Sequence, residues 1–276
     1  MNSNTVYPEH LYEPIREEIA ISYIQHEFRK LLWKVPGKYF PAIDKDIADW
    51  MNSPQLATPR DFWNGFHGIA MGFKLKIGLI YLITAENIKW SKENHPTLNL
   101  WFGVEQKETL TIKSGKISVK EVSEFYSKIE NRAKKKQFIR LNQKLSEETP
   151  PRDRHPIIVI EKMEDKQLVN SVYDGNRRLS KAALNGKRKI LTYLGTYTTE
   201  KRIPQNYWIP TSLLMDNLFF AKIAYDQKDE RLFEHYMEIL KDMLSKSDSA
   251  VYEMKERALT SQQPFRNEVL KNLNIN

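Results

Sequence analysis

A chain of 276 residues can enclose a full hydrophobic core and has room for one large or two small domains. It contains no cysteine, which excludes disulfides, thiol catalysis and thiolate metal sites. A formal net charge of +8 favours polyanionic partners. The most apolar stretch, 69–83, is interrupted by Lys74 and Lys76 and is too short to cross a bilayer, so no membrane partner is expected.

The first residues, MNSNTVYPEHLYEP, place acids and prolines where a secretion signal would need a basic start and an apolar run, so a cytoplasmic location is expected. Apolar residues recur at helical spacing over 9–33, predicting one amphipathic helix that ends at Val35-Pro36-Gly37. A short helix is expected over 44–51. The segment 62–84 fits strands or a buried helix equally well. Strands are expected at 98–102 and 109–112, with a hairpin-like turn at Lys113-Ser114-Gly115. Ser118 and Glu121 form a capping box for a helix running to about 145.

The segment 155–197 is the most informative. Apolar runs at 157–160 and 168–173 read as strands, the second stopping at Asp174-Gly175. A helix then starts with Asn176, Arg177 and Arg178, buries Leu179, Ala182 and Ala183, and ends at Gly186 in a left-handed cap. A third strand spans 189–197. Two arginines oppose the dipole at a helix N-terminus unless an anion is present, so the turn is a candidate anion site. The bland alternative for Asp174-Gly175 is a tight turn.

Basic residues cluster on either side. Between 131 and 145 lie Arg132, Lys134, Lys135, Lys136, Arg140 and Lys144 with no acid; between 175 and 189 lie Arg177, Arg178, Lys181, Lys187, Arg188 and Lys189, again with none. Lys134, Lys135, Lys136, Lys187, Arg188 and Lys189 are therefore candidate nucleic-acid contacts, against the ordinary reading of a solvated charge run. His26-Glu27 lacks the spacing of a helical zinc motif, and Trp63, Trp90, Trp101 and Trp208 are read first as core residues. Beyond Pro210, helices are expected at 213–225, 231–244 and 249–259. Their acidic residues suit packing on the core or a homodimer better than a DNA groove.

The sequence Gly175-Asn176-Arg177-Arg178-Leu179-Ser180-Lys181-Ala182 resembles the GxRRxxA box of the ParB/sulfiredoxin superfamily, and the flanking strands and spacings match with it over about 45 residues. That resemblance implies an α+β fold: a small mixed-sheet domain at 118–204, with a region of unassigned role at 1–117 and a helical region at 205–276. It further implies that Gly175, Asn176, Arg177, Arg178 and His155 bind nucleotide phosphate. Asp174 would be the catalytic carboxylate, holding a magnesium ion or orienting an arginine. The implied cofactors are a nucleoside triphosphate and Mg2+. Asn176 is uncharged where the partition proteins of the superfamily carry glutamate, which weighs against a cytidine-triphosphate clamp, and the missing cysteine excludes sulfiredoxin chemistry. Three readings stay open: nucleotide binding with hydrolysis or phosphoryl transfer, a non-enzymatic partition-like DNA-associated protein, and a metal-dependent nuclease.

Overall fold

The computed structural model describes residues 7–32, 34–97, 100, 154–164, 167–198, 206–258 and 263–275. In chain order these form α1 (Pro14–Leu31), α2 (Phe40–Met51), α3 (Pro59–Gly72), α4 (Ile77–Thr84), β1 (Ile88–Pro96), β2 (Ile157–Glu164), β3 (Gln167–Asp174), α5 (Asn176–Leu184), β4 (Lys189–Tyr197), α6 (Thr211–Gln227), α7 (Glu230–Lys246), α8 (Asp248–Ala258) and α9 (Gln263–Leu273). The described chain is thus mixed α and β, with nine helices and one four-stranded mixed sheet. Its contacts divide it into two compact units. One comprises Met1–Arg16, Asp49–Asn87 and Ile203–Asn276, the other Glu17–Ala48 and Ile88–Arg202.

The sheet belongs to the second unit and has the order β1-β4-β2-β3. β2 pairs antiparallel with β3 and parallel with β4, and β1 adds antiparallel to the outside of β4. Ile157, Ile158, Val159 and Ile160 are all buried, as expected of a strand with neighbours on both edges and both faces covered. β1 is absent from the sequence reading. Only Ile88 and Trp90 of its first half are buried, and Ser91, Lys92, Glu93 and Asn94 are exposed. Charged residues suit an edge strand but hide the period-two signal.

Gly195 of β4 is required by close packing. A Cβ there would stand 2.7 Å from Ile160 Cδ1 and 2.9 Å from Ile88 Cγ2. α5 carries the chain from β3 to β4 and ends as expected: Gly186 has φ 70°, its N–H bonds the Ala183 carbonyl, and the Lys187 N–H bonds that of Ala182. This is a Schellman cap, and it delivers Lys189 to the start of β4.

The single helix expected over 9–33 is a 3-10 turn at Glu9–Tyr12, in the other unit, followed by α1, most of which belongs to the sheet-bearing unit. Pro14 explains the break, because proline lacks an N–H and suits a first helical position. The ambiguous 62–84 segment is helical. Thr58 caps α3 by accepting from the Asp61 N–H, and the buried residues Phe62, Trp63, Phe66 and Ala70 follow a helical period. α6 to α9 close around Leu214, Leu218, Met237, Leu240, Met254, Phe265 and Val269. α9 was not anticipated, although Phe265, Val269 and Leu273 repeat at four-residue spacing. Trp63 and Trp208 lie in the core, as does Trp90 in the sheet unit. α6 also exposes Phe219 and Phe220. The expected strand at 109–112, the turn at Lys113-Ser114-Gly115, and the helix over 118–145 with Lys134, Lys135 and Lys136 lie outside the described residues. Of 98–102 only Leu100 is described, and it is helical, not extended.

Two half-buried histidines of the unit without the sheet are expected to make folding sensitive to pH. The His10 Nε2 hydrogen donates to the Thr84 carbonyl at 2.9 Å, and burial, followed by the nearby Arg16 cation, lowers the pKa of the ring. Burial also lowers that of His67. A base with a depressed folded-state pKa takes up its proton more readily in the unfolded chain. Its contribution is therefore whole above the ordinary value of 6.5 and is lost as pH falls below it. Thermal melting is expected to move to lower temperature between about pH 7.5 and about pH 5.5, and His10→Gln is expected to flatten that dependence.

Candidate functional site

The turn between β3 and α5 is built on Gly175, which has φ 100°. An added Cβ would stand 2.7 Å from Ile157 Cβ and 3.0 Å from an Arg178 nitrogen, so both conformation and space demand glycine. Gly175 is also the N-cap of α5. It offers no side-chain acceptor to the first N–H groups, and the first turn contains no acid. Such a terminus concentrates positive potential. Asn176 is exposed there and Arg177 half-buried.

Arg178 points the other way. It is 6% exposed, and its Nη2 donates to Asp174 Oδ2 at 2.6 Å. Its Nη1 donates to the carbonyls of His155 at 2.6 Å and Pro156 at 2.8 Å. The guanidinium therefore clamps three segments together: the end of β3, the first turn of α5 and the approach to β2. Of the two readings of Asp174, orienting an arginine is the one this geometry displays. The anion that a cation at a helix start calls for is, for Arg178, supplied from inside the protein.

α1 completes the surroundings of Asp174. Lys30 Nζ lies 3.5 Å from Asp174 Oδ1, and His26 Nε2 lies 3.7 Å from Oδ2. Lys30 also pairs with Glu27. Ligand-type atoms of His26, Glu27 and Asp174 all fall within 4.8 Å of one another. This set suits Mg2+ poorly. Magnesium demands near-octahedral oxygen ligation, whereas here one donor is an imidazole nitrogen and Asp174 already holds two side-chain cations.

Next to the clamp, a cleft of about 370 Å3 is lined by side chains of α1, α2, β1 and β4 and by the segment 154–156. His155 forms part of its wall, with Nε2 donating to Gln25 Oε1 at 3.2 Å and standing 3.7 Å from Asp44 Oδ2. Both acids of the cleft have partners: Arg29 pairs with Asp44, and Lys92 pairs with Glu18. The Tyr193 hydroxyl donates to Glu18 at 3.0 Å, and burial, then the Glu18 carboxylate, raise the phenol pKa above its usual value. Exposed Arg154 stands at the margin. A volume of this size accommodates a small organic ligand.

No protein-family model matches the chain, and no curated protein or solved structure is significantly similar to it. The site is thus judged by its own chemistry.

Of the residues singled out from the sequence, Asp174, Gly175, Arg178 and the His155 backbone meet at one place. Asn176 and Arg177 occupy the outer side of the same turn. Lys187 and Lys189 are exposed and Arg188 half-buried beyond the far end of α5, with the Arg188 carbonyl accepting from the Thr97 N–H at 2.9 Å. Sequence reasoning weighed His26 only as a zinc ligand and set it aside, and it overlooked Lys30, Arg29 and Asp44. A signal existed: His26 and Lys30 are four residues apart, hence on one helix face, and His26 and Arg29 sit among the apolar positions of α1. Among the described residues no helix is long and apolar enough to cross a membrane.

Proposed function

We propose that the chain is a ParB/sulfiredoxin-like phosphate-binding protein that holds a nucleotide, or the phosphate of a nucleic acid, at the outer side of the Gly175–Arg178 turn. The observation that carries this reading is the start of α5. It combines a left-handed glycine, no capping side chain, no acid in the first turn and a half-buried Arg177. Anions are held at such termini by main-chain N–H groups and the helix dipole, and an arginine adds a fork of donors. The inward clamp of Arg178 supports the reading indirectly, because it rigidifies the turn that would meet the ligand. Arg177 takes the role of ligand contact, and Arg178 that of framework. The exposed Lys187 and Lys189 favour nucleic-acid phosphate as the alternative source of the anion.

A thermal-shift panel of ATP, ADP, CTP, GTP and a short DNA duplex tests the proposal. A ligand that binds only the folded state at about 100 times its Kd stabilises it by about 2.7 kcal/mol. Arg177→Ala is expected to abolish most of the shift, measured against the variant's own ligand-free melting temperature. Duplex binding that weakens steeply with salt would assign the site to nucleic acid. A panel without any shift, or one indifferent to Arg177→Ala, overturns the proposal.

A further inference from the structure

Among the described residues, Glu27, Lys30 and Arg178 stand around Asp174: two carboxylates and two basic side chains. Lys30 is placed by α1 so that its ammonium reaches both acids: it pairs with Glu27 one turn earlier and stands 3.5 Å from Asp174 Oδ1. The same turn of α1 carries His26, whose Nε2 is 3.7 Å from Asp174 Oδ2. α1 thus brings His26 and Glu27 to Asp174 at the end of β3, with ligand-type atoms of the three within 4.8 Å of one another, together with a lysine that bridges the two acidic ones.

We propose that Lys30 is a tethered counter-cation standing where a divalent ion would otherwise bind, so that the phosphate site works without a metal and Asp174 is a positioning residue. Charge balance carries the argument. With Lys30 and Arg178 in place, each carboxylate already has a cationic partner, and a divalent ion would add two further positive charges at a buried carboxylate that is 3% exposed. Repulsion from an ammonium and a guanidinium within 4 Å of the same carboxylate is strong at low effective dielectric. Arg178 cannot leave without releasing the His155 and Pro156 carbonyls that it holds. Lys30 is the cation that can be removed without dismantling the turn, being 26% exposed and making both its contacts through one flexible side chain.

The metal-free character of phosphate binding rests on the function proposed above; the exclusion of a divalent ion by Lys30 does not. The experiment separates them. Full-length protein is titrated with Mn2+ and with Zn2+ by calorimetry, as wild type and as Lys30→Met, which keeps an apolar stem and removes the charge. The wild type is expected to take up neither ion saturably at this place. Lys30→Met is expected to gain one equivalent, lost again in Lys30→Met/His26→Ala. Lys30→Gln serves as the second variant if the methionine protein does not fold by circular dichroism. Stoichiometric uptake by the wild type that Asp174→Asn abolishes overturns the proposal, and so does the absence of any gain in both folded Lys30 variants. In a parallel arm, the thermal shift produced by nucleotide in the wild type is expected to be the same in EDTA as in magnesium, and a shift that requires magnesium overturns the metal-free claim. If no phosphate ligand shifts the wild type at all, the function reading has failed while the titration still decides the role of Lys30.

Discussion

Replacing Arg178 with methionine is expected to destabilise the sheet-bearing unit by about 3–5 kcal/mol, the range found when one partner of a buried ion pair is removed. The physical cause is specific. Asp174 would lose its shortest side-chain partner at 3% exposure, and the His155 and Pro156 carbonyls would lose the donor that joins them to α5. Arg177→Ala, one residue earlier on the same turn, is expected to cost clearly less, because Arg177 is half-buried where Arg178 is buried. Chemical denaturation of both variants measures the contrast. Equal, small effects would show that Arg178 is not the framework residue its contacts describe, and would return it to the role of phosphate ligand.

Gly175→Ala is the second large effect. An L-residue in a left-handed conformation costs about 1–2 kcal/mol. The new methyl group would also meet Ile157 Cβ at 2.7 Å, and overpacking a filled site typically adds about 1–3 kcal/mol. Denaturant unfolding is expected to show a loss approaching the sum of the two. Ile157→Val alongside Gly175→Ala is expected to recover little of it, because valine keeps both the Cβ and the Cγ2 that crowd the new methyl group, and the left-handed cost remains. A Gly175→Ala protein as stable as the wild type would contradict the geometry of the turn.

These two residues show how much of the site is legible in sequence. Asp174-Gly175 between an apolar strand and an arginine-bearing helix announces a left-handed turn, because few other residues stop a strand and open a helix in adjacent positions. The end of α5 and the start of β4 were equally readable: Gly186 and the β-branched and aromatic residues after Lys189 are local signals. The direction of the Arg178 side chain was not readable. Arg177 and Arg178 are chemically identical and adjacent, and roughly 100° of helical rotation separates a surface donor from a buried clamp. Only the position of β2 and α1 decides which is which.

β1 and the His26–Lys30 turn illustrate the same limit from different causes. β1 is polar because it is an edge strand, so the periodicity that betrays a buried strand is missing. His26, Glu27 and Lys30 look like ordinary charged positions of an amphipathic helix until Asp174, nearly 150 residues later, is placed against them. Short-range patterns determine what each segment becomes, since propensity, caps and turns act within a few residues. By itself, therefore, the sequence determined a cysteine-free, basic, mixed α and β chain with a glycine-based strand-to-helix turn at 174–178. Tertiary structure decided which charges that turn buries and which it presents, because ion pairs between distant segments depend on a three-dimensional approach that no local pattern encodes.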